Sequence, residues 1–123
     1  MASLEMGKES FELNNKTIDS LIGDNAIGNY ALGYLIEKTS TFVVLYVGRS
    51  DTNLNKRLKD HVGEFAKCNR FKYVIQDNVK AAYYLECKNY HDFDGPDGRL
   101  LNEKHPDSPN GLLLECPYCL KEN

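Results

Sequence analysis

Three absences bound this chain before any motif is read. It has no apolar run near the roughly 18–20 residues that a membrane-crossing helix needs, so no membrane role is expected. Its first residues, Met1-Ala2-Ser3-Leu4-Glu5-Met6, show no basic stretch followed by an apolar core, so no signal peptide is expected. There is no internal repeat and no low-complexity tract, which sets aside solenoids and repeat arrays. Basic charge is also in short supply. A net charge of −3 argues against a non-specific polyanion binder. Cysteine is sparse: Cys68, Cys87, Cys116 and Cys119 are the four present. An even number invites a disulfide framework, but nothing else points to secretion. Reduced thiols are expected, in the cytoplasm or, in a eukaryote, the nucleus.

What remains is an ordinary composition, 41% hydrophobic and 27% charged over 123 residues, which suits one domain with its own core. The charge is unevenly placed. From Arg49 to Lys72 seven basic residues face three acidic ones, a surplus of four. That segment reads either as a polyanion-binding patch or as a solvated helix face.

Residues 1–28 read as a leader, frayed over the first dozen positions, with a short helix over Thr17–Ile22 capped by Asn15 or Thr17. Residues 29–112 read as the main domain, and 113–123 as a cysteine-containing tail. Tyr30, Leu32, Tyr34 and Ile36 alternate as in a strand, and Phe42–Val47 is a β-branched and aromatic run. With a turn at Lys38–Thr41 they form a hairpin. Tyr34 and Tyr46 share a sheet face only if paired positions sum to an even number, which requires an odd loop or a bulge. That arrangement is expected, because a shared site needs it.

A helix capped by Thr52 or Asn53 follows, with Leu54, Leu58, Val62 and Phe65 as its apolar stripe and an end before Arg70. Arg57 and His61 are one turn apart on it and therefore neighbours. Phe71–Gln76 reads as a third strand. Asp77 or Asn78 caps a helix over Val79–Tyr90, and Glu86 points into its apolar face of Val79, Ala82, Tyr83 and Tyr90. A carboxylate there is costly unless it is paired or holds a cation. Arg99–Lys104 reads as a short third helix carrying Asn102, and Leu112–Leu114 is expected to pack back on the core.

Leu32-Gly33-Tyr34, eleven intervening residues, then Tyr46-Val47-Gly48, followed by Arg57, His61, Glu86 and Asn102, resembles the motif set of the GIY-YIG nuclease superfamily. Leu32 stands where that family usually has glycine. Tyr30, in Gly28-Asn29-Tyr30, is the alternative first tyrosine, at fifteen intervening residues; Tyr34 is preferred for its spacing. The resemblance implies an α+β fold with a small three-stranded antiparallel sheet flanked by helices, in the order β-β-α-β-α-α. It further implies a divalent ion, Mg²⁺ or Mn²⁺, at Glu86, and hydrolysis of DNA phosphodiesters. Tyr34, Tyr46 and His61 would handle protons, Arg57 would grip phosphate, and Asn102 would support the site. Which tyrosine is the base stays open. Specificity would come from a homodimer, a protein partner or DNA shape. The rival readings are the same fold as a non-cutting nucleic-acid or protein-binding module, and an oligomer built through the tail cysteines. Cys116 and Cys119 have the spacing of half a zinc site, which Cys68, Cys87, His91 or His105 would have to complete; two free tail thiols are the expectation.

Overall fold

The computed structural model describes residues 9–93 and 100–102, together with Leu4, Met6, Gly7, Pro106, Pro109, Leu114 and Cys116. The fold is α+β. Its elements are β1 (Phe11–Glu12), α1 (Asn15–Leu21), β2 (Gly28–Ile36), β3 (Thr41–Ser50), α2 (Leu54–Asp60), β4 (Arg70–Ile75) and α3 (Val79–Asp92). All strand pairs are antiparallel, in the order β1-β4-β2-β3. The sheet therefore has four strands where three were expected. The extra one comes from the stretch read as frayed: Phe11 and Glu12 pair with Phe71 and Arg70. Two residues carry too little periodicity to be seen as a strand, and only the free edge of β4 makes them one.

Each helix begins where a short polar side chain can reach an orphan amide. Asn14, Asn53 and Asn78 accept from the backbone N–H of Thr17, Lys56 and Ala81. Two of these caps were expected; α1 is capped by Asn14, one residue before Asn15 and three before Thr17, the two candidates. Helix α2 is shorter than its stripe implied. It stops at Asp60, His61 is its C-terminal cap, and Gly63 follows at φ +80°, a conformation glycine adopts without a Cβ clash. Val62, read as part of the stripe, is consequently exposed. In the expected third helix, the described residues Leu100–Asn102 are not helical, and Arg99, Glu103 and Lys104 lie outside the described residues.

Alternation sends the two faces of β2 into different layers. Tyr30 and Leu32 join Ile18, Ile22, Leu54, Leu58 and Phe71 under α1 and α2. Ala31 joins Val44, Val47 and Tyr90 under α3. Strand β2 is covered on both faces, hence its nearly unbroken burial from Gly28 to Gly33. At the edge of the sheet, β3 is covered by the returning chain. The Asn102 side chain accepts from Val47 N–H at 3.0 Å and donates to Val47 C=O at 2.7 Å, and Leu101 N–H donates to Leu45 C=O. A carboxamide thus takes the place of a fifth strand at that point. Among the described residues, no helix is long and apolar enough to cross a membrane.

Candidate functional site

The hairpin register decides which tyrosine belongs to the cluster. The turn encloses four residues, with Ile36 opposite Thr41, an even loop that by itself would separate the faces. A bulge between Leu32 and Gly33, seen from β2, takes up one extra residue of β3 and restores the even register from Leu32↔Tyr46 to Tyr30↔Gly48. Tyr30 and Tyr46 then lie on the α2 face with their rings stacked, centroids 6.2 Å apart and planes inclined by 14°. Tyr34 packs against the same core. Among the described residues it shares no hydrogen bond or ring contact with Tyr46 or His61. The tyrosine that meets the others is Tyr30, the wider-spaced alternative. Gly48 is opposite it because a Cβ at that position would run into the Tyr30 phenol.

His61 closes the cluster from the end of α2. Its imidazole is buried, 5.3 Å from the Tyr30 ring, 5.1 Å from the Tyr46 ring and 5.9 Å from Phe65. Nε2 lies 2.7 Å from the Tyr30 hydroxyl and Nδ1 lies 2.7 Å from Glu64 Oε1. Burial holds the His61 pKa below the usual histidine value, against the pull of Glu64. A neutral ring has one N–H; the carboxylate needs a donor, so Nδ1 donates to Glu64 and Nε2 accepts from Tyr30. Tyr30, His61 and Glu64 form a hydroxyl–imidazole–carboxylate chain. Sequence reasoning missed Glu64, whose signal was its position three residues after His61, within one turn.

Arg57, exposed on the preceding turn, brings its positive charge near both phenols. Burial pushes both phenols up, Tyr30 the further; Arg57 pulls each back toward ionisation. The charge of Glu86 reaches both phenols as well, and Arg57 in turn favours its carboxylate form. Glu86 arrives from α3, on the opposite side of the sheet, but β3 is an edge strand, so groups from the two layers can approach one another around it.

Glu86 is buried, and burial pushes its pKa up to about 7 despite Arg49. Arg49 Nη1 donates to Glu86 Oε1 at 2.5 Å, while Arg49 Nε donates to Asp51 at 2.8 Å and the guanidinium lies over the Tyr83 ring. The carboxylate on the apolar stripe is therefore paired with a guanidinium that sequence reasoning counted only as part of a basic segment. Among the described residues, Oε2 of Glu86 makes no hydrogen bond, yet it is not sealed: the one fully buried side-chain polar atom lacking a partner is Asn89 Oδ1. One oxygen thus stays open to solvent. That suits a hard cation bound through a single carboxylate oxygen and waters. Among the described residues, no three His, Cys, Asp or Glu side chains converge.

The basic segment is largely committed to contacts within the chain. Lys56 pairs with Asp60, Lys59 with Asp19, and Arg49 with Asp51 and Glu86. Arg70 binds Ser10, and Lys72 binds the carbonyl of Gly7. Arg57 and Lys67 have no ion pair among the described residues, and Arg57 is the cation turned toward the tyrosines. Asn102 lies against β3 as backbone support, joined to Val47 beside Tyr46. No protein-family model, no curated protein and no solved structure matches this chain.

Proposed function

We propose that this chain is a divalent-metal-dependent endonuclease of the GIY-YIG type that hydrolyses DNA phosphodiesters. The observation that supports this most is the convergence of Tyr30, Tyr46, Arg57 and His61 from two strands and a helix, within electrostatic reach of Glu86. These are the residue types that phosphodiester hydrolysis calls for: proton carriers, a fork-shaped cation for phosphate oxygens, and a carboxylate for a metal.

Glu86 would hold Mg²⁺ or Mn²⁺, and the bound ion would supply charge stabilisation at the phosphate. The chain's own residues handle the proton. Neutral His61 takes the proton of Tyr30 at Nε2 as the phenol oxygen takes one from the attacking water. Glu64 stabilises the imidazolium that results. Arg57 stabilises phenolate character on Tyr30 and grips a non-bridging phosphate oxygen. The water oxygen bonds to phosphorus, the phosphorus–sugar oxygen bond breaks, and the leaving oxygen takes a proton from solvent. Tyr46, stacked on Tyr30 and near the Arg57 charge, would position both.

The decisive assay offers supercoiled plasmid, branched DNA and single strands to the protein in Mg²⁺ or Mn²⁺, beside Glu86→Ala and Arg57→Ala variants verified as folded. Cleavage by the wild type that each variant lowers by at least about a hundredfold is expected. Cleavage that survives both substitutions overturns the assignment. A second reading, a DNA- or protein-binding module that does not cut, draws on the Arg49–Glu86 pair, which occupies one oxygen of the proposed metal ligand. Binding of the same DNAs without cleavage in either metal would favour it.

A further inference from the structure

We propose that Cys87 and Cys116 form a reversible disulfide, a redox switch that ties the returning chain to α3 beside the Arg49–Glu86 pair. The two cysteines stand 29 positions apart and meet in one buried cluster with Tyr83. Cys87, on α3, is fully buried, and Cys116 is 7% exposed. Tyr84 and Leu114 pack against this cluster. Both cysteines are free thiols. Burial pushes the Cys87 thiol up to about 12, and Cys116 beside it adds to the rise. Cys68 belongs to a different cluster, with Phe71 and Leu58, and takes no part.

The oxidant is a low-molecular-weight disulfide. Burial keeps a thiol protonated and out of reach, so the first step falls to Cys116, the more exposed of the two. Its thiolate attacks one sulfur of the small disulfide; that S–S bond breaks and one small thiolate leaves. The departing thiolate takes the Cys87 proton. The Cys87 sulfur then attacks Sγ of Cys116 and expels the second small thiolate, which takes a proton from solvent. Two protein thiols and one small disulfide become one protein disulfide and two small thiols. Two electrons and two protons leave the protein, and reduction runs the same steps backwards.

The bond closes a loop that contains Leu101 and Asn102, both hydrogen-bonded to β3. Closing a long loop removes freedom chiefly from the unfolded chain, so the oxidised protein is the more stable form. Tyr83 carries the effect toward Glu86. It packs in the cluster of both cysteines, and its ring lies 5.2 Å from the Arg49 guanidinium, which donates to Glu86. What the switch does to cleavage rests on the proposed function; the bond itself does not.

The test exposes the whole, folded chain to oxidised glutathione in native buffer, then alkylates, digests with trypsin and maps the disulfides by mass spectrometry. The expected product joins peptide 81–88 to peptide 105–121, with fragmentation placing the bond at Cys116 rather than Cys119. Oxidation should raise the thermal midpoint by at least about 5 °C, a rise that dithiothreitol reverses, Cys116→Ser removes and Cys68→Ser keeps. The Tyr83 ring signals should shift on oxidation in NMR spectra. Cys87 and Cys116 that stay reduced in excess oxidant, a bond from Cys116 to Cys119 instead, or a bond that forms only in urea overturns the proposal. Tyr83 signals that do not move overturn the link to Glu86. None of these readouts depends on DNA cleavage.

Discussion

At the scale of single residues, the hydrogen-bonded chain from Tyr30 through His61 to Glu64 makes the sharpest demands. Tyr30→Phe keeps the ring stack but leaves the buried Nε2 of His61 without its donor, which should cost about 1–3 kcal/mol in urea unfolding. Tyr34→Phe, made at a half-buried ring outside the cluster, should stay within about 0.5 kcal/mol of wild type. Under the proposed endonuclease function the same pair should separate in cleavage, Tyr30→Phe losing it and Tyr34→Phe keeping it. Glu64 raises the His61 pKa, so Glu64→Gln should lower it further, and Arg57→Ala, which removes an opposing charge, should raise it. An NMR titration of the His61 ring reads both directions; shifts of the opposite sign would mean that the imidazole does not face these groups. Tyr34 was preferred over Tyr30 for its eleven-residue spacing to Tyr46. Spacing along the chain does not show which of two same-face residues of β2 lies beside His61.

At the scale of elements, the boundaries were readable where a local rule acts and obscure where it does not. The asparagine caps at Asn53 and Asn78, the hairpin and β4 follow from side chains that act on their own backbone. The premature stop of α2 turns on Gly63: its positive φ ends the helix and places His61 at a cap rather than mid-helix, which frees the ring to turn back to Tyr30. Gly63→Ala should therefore destabilise by about 1 kcal/mol in urea unfolding. Asn102 is the converse case. It resembled a late site residue, and its described contacts are to the backbone of Val47 on the edge strand. Asn102→Ala would strip a buried N–H of its partner, so a loss of about 1–3 kcal/mol is expected. Hydrogen exchange at the Val47 amide should accelerate beyond the global change. Unchanged protection there would mean that the returning segment does not seal the strand.

At the scale of the whole molecule, the pH response gathers these parts together. Glu86 binds its proton more tightly in the fold, with a pKa of about 7 against an ordinary 4.5. Its contribution to stability is thus fully present below the ordinary value and is lost as pH rises through about 7. His61 works the other way: its pKa is depressed, so its contribution is present at higher pH and fades as the ring is forced to charge. Glu86→Gln should therefore flatten the decline in stability between about pH 5 and pH 8 by thermal unfolding, and leave the acid limb from His61 in place. On the proposed mechanism cleavage needs Glu86 ionised and His61 neutral, so the rate would rise with pH through about 7, and Arg49→Met would move that rise to higher pH by removing the partner that favours the carboxylate. The chain alone determined the alternating and helical periods, the caps, the α+β class and the short roll of residue types able to do this chemistry, because each of those acts over a few neighbouring positions. Only the tertiary structure decided that β1 completes a fourth strand, that Tyr30 rather than Tyr34 meets His61, that Arg49 occupies Glu86, and that Cys87 and Cys116 touch. Each of those is a contact between distant positions, set by sheet register and by the return of the chain, quantities that no local pattern records.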